Sequence, residues 1–208
     1  MAEITTLFWD VGGVLATNGW DRDTRREAAA RFGFDEAEFE QRHEALVAAL
    51  ETGQLALDAY LDRTVFCRSQ SFGREELLGF IYAQSRPNPD SLALARDLAG
   101  RYLTATINNE STELNSYRIE KFGLRDIFTA FFSSCFLRLR KPDPAIYRLA
   151  LDVMQKIPEE CCFIDDRPLN LDGARQLGMH VIQFQDPDQL RRELAELGVV
   201  AAPAVPAN

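Results

Sequence analysis

The 208-residue chain is predicted to adopt an α/β fold, a parallel sheet with helices on both faces plus an inserted α-helical cap, on three observations. Short apolar runs at 5–9, 103–107, 128–133, 161–164 and 180–184 have the length of buried strands. Most are separated by stretches of helical periodicity, and such alternation specifies a parallel sheet covered by helices. Between the first two runs lies a block with helical patterns and no clear strand, far longer than one crossover requires.

Taken in order, the first strand at 5–9 leads into that block, whose helical patterns fall near 23–32, 35–50, 55–66 and 74–85. The block reads as a cap that returns to the sheet at SRPNPDS, where two prolines suit a re-entry loop. Helices at 91–100, 112–122, 144–154, 169–177 and 187–197 follow, the third opening with Asp143 before Pro144 as a capped start. The organisation expected is therefore a core from 1–17 and 87–200, a helical cap from 18–86, and a loosely held tail at 201–208 without periodicity or charge.

With 46% hydrophobic residues the chain can bury a substantial core. Its net charge of −9 argues against nucleic acid or an anionic membrane as partner, since both recruit Lys/Arg-rich patches. A small ligand is expected. The four cysteines lack C-x-x-C spacing, and Cys161 and Cys162 lie in an apolar run, so reduced core thiols are expected. With neither a leader-like start nor an apolar run near the roughly 20 residues of a membrane helix, the expected location is cytoplasmic.

Three segments carry chemistry. Asp10 ends the first strand and precedes Val11, Gly12, Gly13 and Val14. Ligands of open parallel sheets bind beyond the carboxyl ends of strands, where paired glycines let backbone N–H groups approach an anion. Asp10 there is either a nucleophile or a cap of the strand-to-loop turn. Asp165 and Asp166 end the fourth run; adjacent buried carboxylates repel unless a cation joins them, and an oxygen-only ligand set favours Mg²⁺, the other reading being a helix-capping pair. Lys141, just before Pro142, could neutralise both a nucleophilic carboxylate and a transferring phosphoryl group, or be an ordinary solvated lysine. Arg138 and Arg140 alternate along the same segment and read as its exposed side.

In order and spacing these segments resemble the haloacid dehalogenase-like superfamily of hydrolases over nearly the whole chain. The matching residues are Asp10-Val11-Gly12-Gly13-Val14, Lys141-Pro142 and Asp165-Asp166. The resemblance implies a Rossmann-like core with a helical cap, Mg²⁺, and catalysis through an aspartyl-phosphate. It makes Asp10 the nucleophile, and Asp10, the Gly12 carbonyl and Asp166 metal ligands, with Asp165 orienting that metal shell. Lys141 would stabilise the transition state, while Gly12, Gly13, Asn108, Asn109 and Lys141 hold the phosphoryl group.

Two positions depart from the pattern. Gly12 stands where the family usually has a second aspartate that acts as general acid and base, and Asn108 stands where it has a Ser or Thr. An amide still donates to a phosphoryl oxygen. The missing acid costs about 10²–10⁴ in rate with a poor leaving group and little with a good one. The subgroup resembled is that of sugar-1-phosphate phosphatases and epoxide-hydrolase N-terminal-like domains with a helical cap. The function expected is hydrolysis of a small phosphorylated metabolite; the alternatives are a non-catalytic phosphate- or metabolite-binding protein and a metal-independent dehalogenase. In the cap, His43 has the intrinsic pKa for proton transfer but more often such a residue is simply solvated. The turn over 51–55 is expected to face the substrate, with Thr52 and Gln54 as specificity residues. His180, at the start of an apolar run, is expected to be structural.

Overall fold

A computed structural model describes residues 2–200; the tail expected at 201–208 lies outside the described residues. Five strands, β1 (Thr6–Trp9), β2 (Leu103–Asn108), β3 (Ala130–Ser133), β4 (Cys161–Asp165) and β5 (His180–Gln183), form one parallel sheet in the order β3-β2-β1-β4-β5. The chain leaves β1 toward β2 and β3, then crosses back to add β4 and β5 on the other side. The strand order thus reverses at β1/β4, where open α/β sheets form a crevice.

Register fixes the site. Trp9 is level with Ile164, and the Asp10 N–H donates to the Ile164 carbonyl at 2.9 Å. Asp10 and Asp165 consequently leave neighbouring strand ends side by side.

Side-chain alternation divides the core between the two faces. Leu7, Trp9, Cys162 and Ile164 pack beneath α5 (Pro89–Ala99) and α10 (Pro187–Glu196), while Phe8, Cys161 and Phe163 pack against α8 (Pro144–Met154) and α9 (Pro168–Arg175). Cys161 and Cys162 therefore point to opposite faces, and burial pushes both thiols up. All four cysteines are free, but Cys67 is exposed rather than a core thiol.

Between β1 and β2 run α1 (Arg22–Phe32), α2 (Glu36–Glu51), α3 (Leu57–Thr64) and α4 (Arg74–Ala83). Asp21 and Asp35 cap the first two by accepting the Thr24 and Glu38 N–H groups. These helices enclose their own apolar cluster around Phe39, Leu57, Tyr60, Leu61 and Leu77, to which Leu114 of α6 (Thr112–Lys121) also belongs. The two connections lie side by side: Ala16 bridges Pro87 in antiparallel fashion, and the Thr17 N–H donates to the Arg86 carbonyl at 2.9 Å.

The sequence pattern omits α7 (Ser134–Leu137), a four-residue helix directly after β3. It is too short for periodicity to reveal. No helix among the described residues is long and apolar enough to cross a membrane.

Candidate active site

A cavity of about 320 Å³ opens where the strand ends meet the cap helices, with Asp10, Gly12, Asn109 and Lys141 on the core side and His43, Leu50 and Glu51 on the cap side. At its floor the Lys141 ammonium, 1% exposed, lies 2.9 Å from Asp10 Oδ1 and 2.6 Å from Asp165 Oδ2. Burial pulls the Lys141 pKa down, but the two carboxylates more than reverse this and hold it above the ordinary value. Burial likewise raises the Asp10 carboxyl, with Lys141 opposing and Asp165 adding to the rise.

The Val11 N–H and Lys141 both donate to Asp10 Oδ1. Asp10 Oδ2 receives no donor among the described residues, which suits a nucleophile. Asp165 is saturated. Its Oδ1 accepts from the Arg167 N–H and Asn170, its Oδ2 from Lys141 and Asn170. Asp166 is different: Asn18 donates to Oδ2 at 3.2 Å, but Oδ1 is buried with no partner among the described residues.

Carboxylate oxygens of Asp10, Asp165 and Asp166 lie within 4.8 Å of one another. Three carboxylates face one ammonium, and the surplus negative charge together with the orphaned Asp166 oxygen fits a small hard cation. Asp165, expected to orient the metal shell, has its lone pairs committed to protein donors, Lys141 among them.

The phosphoryl-binding expectations need revision at three residues. Asn108 does not line the cavity: its Nδ2 donates to Asn115 Oδ1 and its Oδ1 accepts from Ser133, so the amide braces β2 against β3 and α6. Asn109 does line it, yet its amide brackets Lys141, accepting from the Lys141 N–H at 2.8 Å and donating to the Lys141 carbonyl at 2.9 Å. The Gly13 N–H is spent on the Ala16 carbonyl. Gly13 is needed for another reason: φ is +79°, and a Cβ there would fall 2.3 Å from Asp166 Oδ2.

Gly12 lines the cavity without a left-handed φ, and a Cβ on it would lie 3.3 Å from Arg118 Nη1. Arg118 is 2% exposed, ion-paired with Glu110 at 3.1 Å, and donates to Ser85 Oγ and the Asn18 carbonyl. It thereby joins both cap connections to α6. Its segment, YRIEKF, carries no sign of this, because the groups covering it come from residues far away in the chain.

On the cap, His43 stacks on Phe39, and its Nδ1 lies 2.8 Å from the Tyr60 hydroxyl. Burial lowers its pKa to about 4, with Arg25 adding and Glu40 opposing, so at neutral pH the ring that meets Tyr60 is uncharged. The unfolded chain takes up a proton near pH 6.5 that the folded chain refuses. Stability from this residue is present above about pH 6.5 and lost as pH falls toward about 4. Thermal melts at pH 7 and pH 5 should therefore show a smaller acid loss in His43→Gln than in the parent; equal losses would contradict the assignment.

Thr52 and Gln54 do not line the cavity. Thr52 Oγ1 donates to the Ala48 carbonyl and accepts from Gln54, closing the end of α2. Of the expected turn, Glu51 lines the cavity, together with Val47 and Leu50 from the last turns of α2. Arg140, read from sequence as exposed, lines it too and pairs with Glu51 at 3.2 Å.

The family model of haloacid dehalogenase-like hydrolases matches residues 4–178. The chain is 28% identical to bifunctional epoxide hydrolase 2 of Sus scrofa over 95% of its own length and 40% of that protein. It is 36% identical to flavin mononucleotide hydrolase 1 of Arabidopsis thaliana over 38% of its length and 33% of that protein. The chain thus spans less than half of these relatives. A HAD family enzyme from Bacteroides thetaiotaomicron, in complex with magnesium and inorganic phosphate, superimposes with a TM-score of 0.76 at 20% identity, covering 88% of this chain and 94% of that one.

Proposed function

The chain belongs to the haloacid dehalogenase-like hydrolases, and from that premise we propose that it is a Mg²⁺-dependent phosphatase of small phosphorylated metabolites. The observation that carries this reading is the cluster of Asp10, Asp165 and Asp166 around Lys141, with one Asp166 oxygen left without a partner.

In this reading Asp10 Oδ2 attacks phosphorus and forms the aspartyl-phosphate as the bond to the leaving oxygen breaks; water then attacks phosphorus and releases Asp10. Lys141 holds Asp10 in place and offsets charge on the phosphoryl oxygens. Asp165 and Asn109 keep Lys141 at its position through side chain and backbone respectively. Mg²⁺, held by Asp10, Asp166 and the Gly12 carbonyl, would supply neutralisation of the surplus charge and polarisation of the phosphoryl group. The cap covers the cavity with His43, Val47 and Leu50, and so selects the part of the metabolite that leaves.

A screen of phosphorylated metabolites tests the proposal, with Asp10→Asn protein as the blank. Phosphate release is expected with Mg²⁺, falling by about 10²-fold or more on chelation and returning when Mg²⁺ is restored. Halide release from a 2-haloacid without metal would favour the dehalogenase instead. Phosphate binding without turnover would favour a binding protein.

A further inference from the structure

We propose that Glu51, carried into the cavity by the cap, is the proton donor to the leaving oxygen and the proton acceptor from the hydrolytic water, the task for which Gly12 has no side chain. This rests on the phosphatase reading above. Asp21, Glu51 and Glu110 are the cavity carboxylates outside the Asp10 cluster. Asp21 is used as the cap of α1. Glu110 accepts from the Ser111 N–H on one oxygen and is paired with Arg118 on the other. Among the described residues the Glu51 carboxylate has only an ion-pair contact with Arg140 at 3.2 Å, and its buried Oε2 makes no properly directed hydrogen bond.

Its position is built rather than incidental. The Glu51 carbonyl accepts from Ser134 Oγ, and the same hydroxyl accepts from the Glu110 N–H at 3.1 Å, so one core serine ties the cap turn to the loop after β2. Gly53 follows with φ +65°, and a Cβ there would collide with the Cys135 carbonyl at 2.2 Å; only glycine lets the turn sit this close to α7. Docking the cap therefore fixes Glu51 on the roof of a cavity whose floor is Asp10 and Lys141.

The environment shifts the carboxyl toward the protonated form that a donor needs. Burial raises the Glu51 carboxyl, Arg140, Arg167 and Lys141 pull it down, and Glu110 pushes it up. Glu51 is also the last residue of α2, where the helix dipole disfavours a carboxylate. His43, by contrast, is neutral with Nδ1 occupied by Tyr60 and has no proton of the required acidity to give.

The proton balance closes. As Asp10 bonds to phosphorus and the phosphorus–oxygen bond of the ester breaks, the electron pair stays on the leaving oxygen, which takes the Glu51 proton. In the second step water gives its proton to the Glu51 carboxylate as its oxygen bonds to phosphorus and Asp10 departs, restoring the starting state.

The test uses two phosphate monoesters with Mg²⁺ present, an alkyl ester with a poor leaving group and p-nitrophenyl phosphate with a good one. Glu51→Gln should lower kcat for the alkyl ester by about 10²–10³-fold and for the aryl ester by less than about 5-fold, and should remove one limb of the pH profile. Arg140→Gln keeps the carboxylate and removes its cation, so it should move that limb to higher pH without abolishing it, whereas Glu51→Gln abolishes it. Equal losses on both esters in Glu51→Gln, or none on either, would overturn the proposal by assigning Glu51 to turn docking alone. A parent protein that hydrolyses neither ester would overturn the phosphatase reading itself, and the donor role with it.

Discussion

Asp10→Asn is expected to lower turnover by at least about 10⁴-fold while raising the melting temperature of the metal-free protein. Under the proposed mechanism the loss follows from Asp10 acting as nucleophile: without a carboxylate no covalent intermediate would form, and the remaining groups would have nothing to stabilise. The gain in stability has a separate cause. Burial and the neighbouring Asp165 disfavour the charged form of Asp10 more than Lys141 favours it, so a neutral isostere removes a cost of folding. Asparagine keeps an oxygen for the Val11 N–H and Lys141, the two donors that Oδ1 now accepts. Added Mg²⁺ should reverse the order of the two proteins, because a cation bound to the native parent stabilises it by mass action and the variant offers a weaker site. Melting curves of both proteins with and without Mg²⁺ check this. A variant that melts lower than the parent in chelator would mean that Asp10 stabilises the fold, and the site would then be structural rather than strained for chemistry.

The parts of the site legible in sequence are those that a strand end displays by itself. Asp10, Asp165 and Asp166 follow uninterrupted apolar runs, so their position at the carboxyl edge of the sheet follows from strand geometry alone, and register then sets Asp10 beside Asp165. Asn108 and Asn109 also mark a strand end, but an amide looks the same in sequence whether it meets a ligand or a neighbour. Which one it meets depends on Ser133 and Asn115 for the first and on the Lys141 backbone for the second. Arg118 was beyond reach for a related reason, and so was the choice of Glu51 among the residues of the expected 51–55 turn. Arg118 looks like a solvated helix residue until both cap connections close over it. At the turn the polar tip residues Thr52 and Gln54 drew the expectation, whereas local hydrogen bonding turned them onto the helix end and left Glu51 facing the cavity. Contacts between distant segments decide each of these cases.

Lys141→Met tests the charge balance of the floor directly, and its expected effect on stability is the largest of any single change at the site. The ammonium is 1% exposed and lies within 2.9 Å of Asp10 and 2.6 Å of Asp165, so removing it leaves two buried carboxylates facing each other with no cation between them. Breaking a buried ion pair from one side costs about 3–5 kcal/mol. In a chain of this size that corresponds to a fall in Tm of roughly 6–20 °C. Methionine approximates the volume of the lysine stem, which keeps cavity formation from dominating the loss. Under the proposed mechanism turnover should also fall, by about 10²–10³-fold, since charge on the phosphoryl oxygens would lose its fixed partner. The double variant Lys141→Met/Asp10→Asn separates charge from packing: removing one of the two stranded carboxylates should recover a large part of the lost stability, because the residues are in direct contact and their effects cannot add. Additive losses in the double variant would show that Lys141 supports the fold through its stem and not through its charge, and the electrostatic account of the floor would fall.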